Sequence, residues 1–427
     1  MKTTDVFGVS NDEIASYIER EEVDAKFLEG LQRNKHIIVF GASKQGKTAL
    51  TIKHLAEKDF IRVNCSPQSA PIDIYSSVLR QLGVEFQEER TETTTTEATI
   101  KASIKAAVKI PFFGSGETEC GAEGKGGKEK EVKYKTVEYN LALPQDISEI
   151  LKAVKFTKRI ILENFHYLDE EVQKEMAFHL RVFEDFNILF IVLGIWREKN
   201  RLAQFNGDLQ DRLIEVPVEP WRKEDFIKVI EKGSDLLQVT FEDVVDTIVE
   251  NSFDSIGVFQ ELCKETCLAA GITESRITNC RLSQTHCDTA ISRKLDDYSG
   301  RHIRSIESFV EQKIKSSEEV PLYVGYYFIK YLFSLNFKAI EAGIKRSDIH
   351  DGIRALHHRP DDVRASDMSY FLHNLTSSQI KKSILPPLFD YDRSTRKLKI
   401  IDSTLYFFLR NANRDEIMEE LDTPSGI

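Results

Sequence analysis

The sequence predicts an α/β fold: a parallel sheet covered by helices on both faces, then an all-helical segment, then helices closed by a β-hairpin. Three observations carry this expectation. Residues 41–48 match a glycine-bounded loop consensus, short apolar runs alternate with amphipathic stretches as far as residue 218, and the strand signal stops after Trp221. Strands that are apolar throughout are what a sheet buried on both faces requires.

The first element is the run His36-Ile37-Ile38-Val39-Phe40, a buried-strand candidate. Gly41-Ala42-Ser43-Lys44-Gln45-Gly46-Lys47-Thr48 follows, a full match to G-x-x-x-x-G-K-[ST]. Residues 49–56, from Ala49 onward, are helix-prone, with Ile52, Leu55 and Ala56 on one face. Strand, loop and helix is the setting this motif needs. Gly41 and Gly46 let the backbone approach a polyphosphate, and successive N–H groups form an anion nest at a helix N-terminus. Lys47 is expected to reach the β and γ phosphates, and the Thr48 hydroxyl to ligate Mg²⁺. The pattern implies a nucleoside triphosphate, with contacts from Gly41 through Ala49.

Residues 60–65 read as a strand and 72–82 as an amphipathic helix. From about 87 to 136 the chain turns polar and repetitive, with a threonine run at 91–96 and a Gly/Lys-rich run at 121–128. A stretch this long inside an α/β unit reads as an insertion. Its central piece, 100–113, has enough apolar character to fold against something or to form a hairpin. A helix at 146–154, a strand at 158–162, a helix at 172–183 and strands at 188–193 and 213–218 complete the alternation. Residues 223–232, 241–252 and 256–270 carry helical apolar spacing and read as a small lid. Helices at 323–333, 347–356 and 365–381, a hairpin pairing 388–391 with 398–401, and a helix at 403–411 suggest a winged helix. The expected division is an α/β unit over 1–219, a lid over 220–300 and a winged-helix unit over 301–427.

Single cores rarely grow past roughly 250 residues, so 427 residues call for two or three domains. A net charge of −11 argues against coating nucleic acid with the whole surface. Residues 301–427 carry about +1 and residues 1–300 about −12, which leaves room for a basic patch in the last third. No apolar run reaches membrane-span length, and Met1-Lys2-Thr3-Thr4-Asp5 lacks a signal-peptide core, so the expected compartment is the cytoplasm, with no membrane partner. Cys263, Cys267, Cys280, His286 and Cys287 lie close enough in sequence for a zinc site, yet no C-x-x-C pair occurs and the segment reads as helix. Reduced, partly buried thiols are the expectation.

The strand at 158–162 ends in Glu163-Asn164-Phe165-His166-Tyr167-Leu168. Phosphate-loop ATPases place a carboxylate at the end of such a strand to hold the Mg²⁺ shell, often with a second beside it that polarises water. Glu163 takes the first position. Asn164 takes the second and cannot act as a base. A helix cap after a buried strand is the alternative.

The phosphate loop, the 162–168 box and the helical lid together resemble the AAA+ and STAND class of ATPases, closest in style to initiator-type members with a C-terminal winged helix. The resemblance spans roughly residues 15–415. It implies an AAA+-like P-loop NTPase fold, with ATP and Mg²⁺ as cofactors. Tyr17-Ile18-Glu19-Arg20 with Val23-Asp24 resembles the box that packs around adenine, a plain amphipathic helix being the alternative. Gly194-Ile195-Trp196-Arg197 stands at the sensor position without an Asn or Thr; Arg197 either substitutes or forms a salt bridge. Arg212 precedes the last strand, where such proteins carry an arginine that reaches a neighbour's γ-phosphate; pairing with Asp208 or Asp211 is the alternative. A trans arginine implies a homo-oligomer. The lid segment Ser255-Ile256-Gly257-Val258-Phe259-Gln260 lacks the family's sensor arginine. Without it and a second acid, slow hydrolysis is expected.

The hairpin tip offers Arg393, Arg396, Lys397 and Lys399 to a phosphate backbone. The leading reading is an ATP-dependent switch that oligomerises and works with a separate effector, as in bacterial antiviral defence or mobile-element systems. An ATP-regulated DNA-binding initiator and a non-hydrolysing ATP-bound scaffold are the alternatives.

Overall fold

The computed structural model describes residues 1–9, 13–90, 104–111, 134–312, 321–421 and 423. A single helical turn, α1 (Thr3–Val6), precedes α2 (Glu21–Gln32). The phosphate loop lies between β1 (His36–Phe40) and α3 (Lys47–His54), followed by β2 (Phe60–Asn64) and α4 (Pro71–Gln81). Strands β3 (Phe86–Arg90), β4 (Ile104–Pro111) and β5 (Tyr134–Asn140) lead through α5 (Pro144–Ala153) to β6 (Arg159–Glu163). Then come α6 (Glu170–Asp185), β7 (Phe190–Gly194), α7 (Arg201–Phe205) and β8 (Leu213–Pro217).

Five strands form one parallel sheet in the order β2-β6-β7-β1-β8. Alternate residues of β1 feed opposite faces. Ile38 and Phe40 pack with Ile61, Leu162 and Val192, whereas Ile37 and Val39 pack with Phe27, Ile161, Ile191 and Val216. Both faces are covered, which is why these runs read as continuously apolar. The loops at the carboxyl ends of β1 and β6 share one edge, where open α/β sheets bind ligands.

The polar stretch after α4 contains a three-stranded antiparallel sheet, β3-β4-β5, and Ala106 and Val108 of β4 enter the main core. The runs at 91–96 and 121–128, and Cys120, lie outside the described residues.

The helical segment holds α8 (Lys223–Leu237), β9 (Val239–Thr240), α9 (Val245–Glu250), α10 (Ile256–Ala269) and β10 (Cys280–Arg281). The helix expected over 241–252 is shorter, because residues 242–244 form a turn before α9 begins. Cys263, Cys267 and Cys287 belong to this unit's apolar core, and burial pushes Cys267 up to about 12 and Cys287 up to about 11. Among the described residues no cluster of His, Cys, Asp and Glu is placed to hold a metal ion.

The sequence expectation lacks α11 (Gln284–Val310), a 27-residue helix about 40 Å long. Its apolar positions are separated by charged runs that mask the period. Cys287 and Tyr298 pack into the lid core, Ile306 and Phe309 into the C-terminal core, so this helix is a strut across the division expected at 300.

The last unit contains α12 (Val324–Ser334), α13 (Phe337–Glu341), β11 (Ile344–Lys345), α14 (Arg346–Leu356), α15 (Ala365–His373) and α16 (Leu375–Lys381). It ends with β12 (Phe389–Asp392), β13 (Lys397–Ile400), α17 (Ser403–Asn411) and α18 (Arg414–Glu420). The helix expected over 365–381 breaks at Asn374. The hairpin pairs Phe389 with Ile400 and Tyr391 with Leu398, and β11 adds to the other side of β13. Among the described residues no helix is long and apolar enough to cross a membrane.

One polar group sits fully inside the sheet. His36 Nε2 donates to the Leu180 carbonyl at 2.8 Å, and its Nδ1 accepts the Phe190 N–H at 3.0 Å. Burial lowers His36 to about 4. Between pH 6.5 and 4 the unfolded chain therefore takes up a proton that the folded protein does not. Stability is complete above pH 6.5 and declines as pH falls through that window, by about 3 kcal/mol at pH 4. Urea midpoints from pH 7 to 4 are expected to fall accordingly, with a shallower slope in His36→Gln.

Candidate functional site

The backbone of residues 41–46 has to reverse direction between a buried strand and a helix. Gly46 does so at φ +82°, a left-handed conformation that disfavours side chains. The first amides of α3 lack intrahelical acceptors, so the loop presents donors to whatever lies in front of it. Lys47 is folded back on its own loop, its ammonium donating to the Gly41 carbonyl at 3.0 Å and to that of Ala42 at 2.6 Å. Burial lowers it to about 8, against the pull of Glu219 and Glu163.

The end of β6 brings Glu163 to the same place, and its Oε1 lies 3.5 Å from the Thr48 hydroxyl. Arg62 of β2, which no local pattern in the chain singles out, donates to that oxygen at 2.8 Å. Burial still raises the Glu163 carboxyl above its ordinary value despite Arg62 and Lys47. A hydroxyl and a carboxylate at this spacing form an oxygen donor set that fits a hard cation such as Mg²⁺. Asn164 follows at φ +57° and lines the same cavity.

That cavity, about 250 Å³, is walled by the phosphate loop from Lys44 to Leu50, by Glu163 and Asn164, and by residues 14–20. Tyr17 and Arg20 both reach it. Asp24 organises them, accepting from the Tyr17 hydroxyl at 2.5 Å and the Arg20 amide at 2.8 Å, with His54 Nε2 at 2.7 Å. The Arg20 guanidinium lies 3.7 Å from the ring centroid of Trp221 and also donates to the Val218 carbonyl. Ile14, Ile18, Ile195, Val229 and Ile256 give the cavity an apolar end. Trp221 and Arg62 carry no local sequence signal, because each acts through a partner distant in the chain.

The tip of the loop is held from outside. The Gly257 amide at the head of α10 donates to the Lys44 carbonyl at 2.9 Å, and that of Ile256 reaches Gln45 Oε1 at 3.4 Å. On the other side the Ser43 amide donates to the Ile401 carbonyl at 2.9 Å, and the Ser403 hydroxyl donates to the Ser43 carbonyl at 2.7 Å. The Ser403 amide donates to the Ser43 hydroxyl at 3.1 Å, and Gln45 Nε2 to the Ser403 hydroxyl at 3.3 Å. Asp402 caps α17 through Thr404 and accepts from Arg301 of α11. Ser43, Gln45, Asp402 and Ser403 are all buried.

Other expected site residues lie elsewhere. Arg197 donates to Glu219 at 3.2 Å, the salt-bridge alternative. Arg212, at the amino end of β8 and so on the sheet edge opposite the loop, pairs with Glu184 and Asp185 of α6 rather than with Asp208 or Asp211. In the hairpin, Arg393 lies 3.4 Å from Glu170 and Lys399 lies 3.6 Å from Asp392, while Arg396 and Lys397 form the turn into β13.

No protein-family model and no curated protein matches the chain. Among solved structures it is similar to a Walker-type ATPase of Pyrococcus abyssi, at 14% identity over 92% of this chain and 96% of that one, with a TM-score of 0.52. The chain shares the fold of that Walker-type ATPase. More distant are the ORC1 protein of Aeropyrum pernix, solved in complex with DNA (12% identity, 98% and 96% coverage, TM-score 0.45), and a STAND protein with a tetratricopeptide repeat sensor from Pyrococcus horikoshii (13% identity, TM-score 0.36). The chain covers 44% of the latter.

In this fold the helical segment meets the loop at a glycine. A Cβ on Gly257 would stand 2.4 Å from Lys44 Cβ and 2.7 Å from the Lys44 carbonyl oxygen. Gly257→Ala is expected to cost about 1–3 kcal/mol in urea unfolding, although alanine is the better helix former.

Proposed function

We propose that the protein is an ATP-operated conformational switch in which the loop at 41–48 binds the triphosphate and residues 401–404 respond to it. One observation carries the reading: the loop that would enclose the phosphates is hydrogen-bonded at its tip to α10 and to α17. A ligand that reshapes the loop therefore changes the contacts of both neighbours, which is the differential interaction a switch needs.

The division into an α/β unit (1–219), a lid (220–300) and a winged-helix unit (301–427) belongs to this reading. It is supported by the order helix, helix, strand, helix, helix, helix, strand, strand over α12 to β13. ATP is favoured over a bare polyphosphate because Tyr17, Arg20 and Trp221 stand with the apolar end of the cavity. Bound Mg²⁺ would neutralise phosphate charge, with Thr48 and Glu163 as its protein ligands. Lys47 would exchange the Gly41 and Ala42 carbonyls for phosphate oxygens. Asn164 accepts a hydrogen bond but takes no proton, which supports slow turnover. Arg212, neutralised by two carboxylates of its own chain, would have to leave them to serve a neighbouring protomer.

Lys47→Ala is expected to weaken ATP binding at least about 100-fold, since a desolvated charge-assisted contact to phosphate contributes about 3 kcal/mol. Titration of the full chain with a fluorescent ATP analogue measures this, and unchanged affinity would remove the ATP reading. Asp402→Ala removes the cap of α17 and the anchor of Arg301, a loss of about 1–2 kcal/mol. Nucleotide release in that variant is expected to accelerate about tenfold, followed by stopped-flow.

A further inference from the structure

Strand β11, the head of α14 and the turn of the hairpin bring cations together on the surface of the C-terminal unit. Lys345 of β11 and Lys397 of β13 stand directly opposite each other in an antiparallel pair. The Arg346 amide donates to the Arg396 carbonyl at 3.1 Å, which ties the start of α14 to the hairpin turn. Lys345 and Arg396 are exposed, Arg346 and Lys397 partly so. Among the described residues none of these four side chains has an ion-pair partner, whereas Arg354 pairs with Asp361 and Arg359 with Asp362. Asp392, opposite Lys397 on β12, is buried, accepts from Ser394 and the Thr395 amide, and lies 3.6 Å from Lys399.

This arrangement is unfavourable in the protein alone. Like charges directly opposite across antiparallel strands repel. Lys345 and Arg346 also stand at the N-terminal end of α14, where the helix dipole favours anions. In a chain of net charge −11, four unpaired cations so placed call for an anion from outside. Residues 343–347 and 393–397 expose no large apolar side chain, so the surface lacks the anchor that a protein partner would grip. Tyr391, the nearby ring, is buried and offers no stacking platform to unpaired bases. The phosphate backbone of a duplex needs neither.

A fifth cation, Arg393, is engaged. It lies 3.4 Å from Glu170, the first residue of α6, and donates to the His373 carbonyl at 3.3 Å. Burial, then Arg393 and Arg346, hold the His373 imidazole below its ordinary range against the pull of Glu170, so both arginines bear on one ring. Glu170 also lies 3.4 Å from Lys174 of its own helix.

We propose that Lys345, Arg346, Arg396 and Lys397 bind the phosphate backbone of a nucleic-acid duplex, and that Glu170 of the α/β unit holds Arg393 out of that contact. The surface is separate from the nucleotide cavity, so its failure leaves the ATP reading standing.

The full chain is titrated with labelled duplex DNA and duplex RNA, by fluorescence anisotropy, over about 50–200 mM salt. The duplex bound more tightly identifies the source of the backbone. Each phosphate contact adds about 0.9 to the slope of log affinity against log salt. Lys345→Gln with Lys397→Gln is expected to flatten that slope by about 1.8 and to weaken binding at least about tenfold at the lowest salt. Its thermal midpoint should equal or exceed that of the unsubstituted protein, since the opposed charges are gone. Glu170→Gln should tighten binding about threefold and steepen the slope by about 0.9, and adding Arg393→Gln should cancel both changes. No binding of either duplex at the lowest salt overturns the inference. So does a double lysine variant with unchanged affinity and slope, or one whose midpoint falls with its affinity. Equal affinity for poly-glutamate overturns the choice of partner, and unchanged or weaker binding in Glu170→Gln overturns the masking of Arg393.

Discussion

The tip of the phosphate loop, Ser43 to Gln45, is the constraint on which the rest of the molecule depends. Its carbonyl groups, the Ser43 hydroxyl and the Gln45 amide all bond outward, to α10 on one side and to residues 401–403 on the other. These groups are buried, so breaking a bond without supplying a new partner leaves an orphaned dipole worth about 1–3 kcal/mol. The loop therefore cannot change shape alone. The lid and the C-terminal unit must move with it or hold it where it is.

The α11 strut makes this joint cooperative. It carries Tyr298 in the lid core, Ile306 in the C-terminal core, and Arg301 on Asp402, the residue that caps α17 beside the loop. The Lys44 ammonium lies 5.2 Å from the Tyr298 ring. Polar networks of this kind act as a unit, so the effect of removing one member exceeds its own bond.

How much of this was legible in the chain follows from the range of the interactions. The loop was readable because its chemistry is local: two glycines, a lysine and a threonine at fixed spacing between a strand and a helix. The strands were readable because a sheet covered on both faces leaves uninterrupted apolar runs. Glu163 ends such a run, and its carboxylate lies 3.5 Å from the Thr48 hydroxyl. Arg62, Trp221, Asp402 and Ser403 carry no such mark, and each meets the site through a residue 101 to 360 positions away. The α11 helix escaped notice because charged residues dilute its apolar period, and β3-β4-β5 because long-range antiparallel pairing is not written in any one of its strands.

Hydrogen–deuterium exchange on the unsubstituted full chain, with and without Mg-ATP, tests the coupling most directly. Coupling requires that nucleotide alter the exchange of the amides of Gly257, Ser403 and Thr404 together with that of Ser43 in the loop. Protection confined to residues 46–50, with the amides of 256–257 and 401–404 unchanged at saturating ATP, would contradict it.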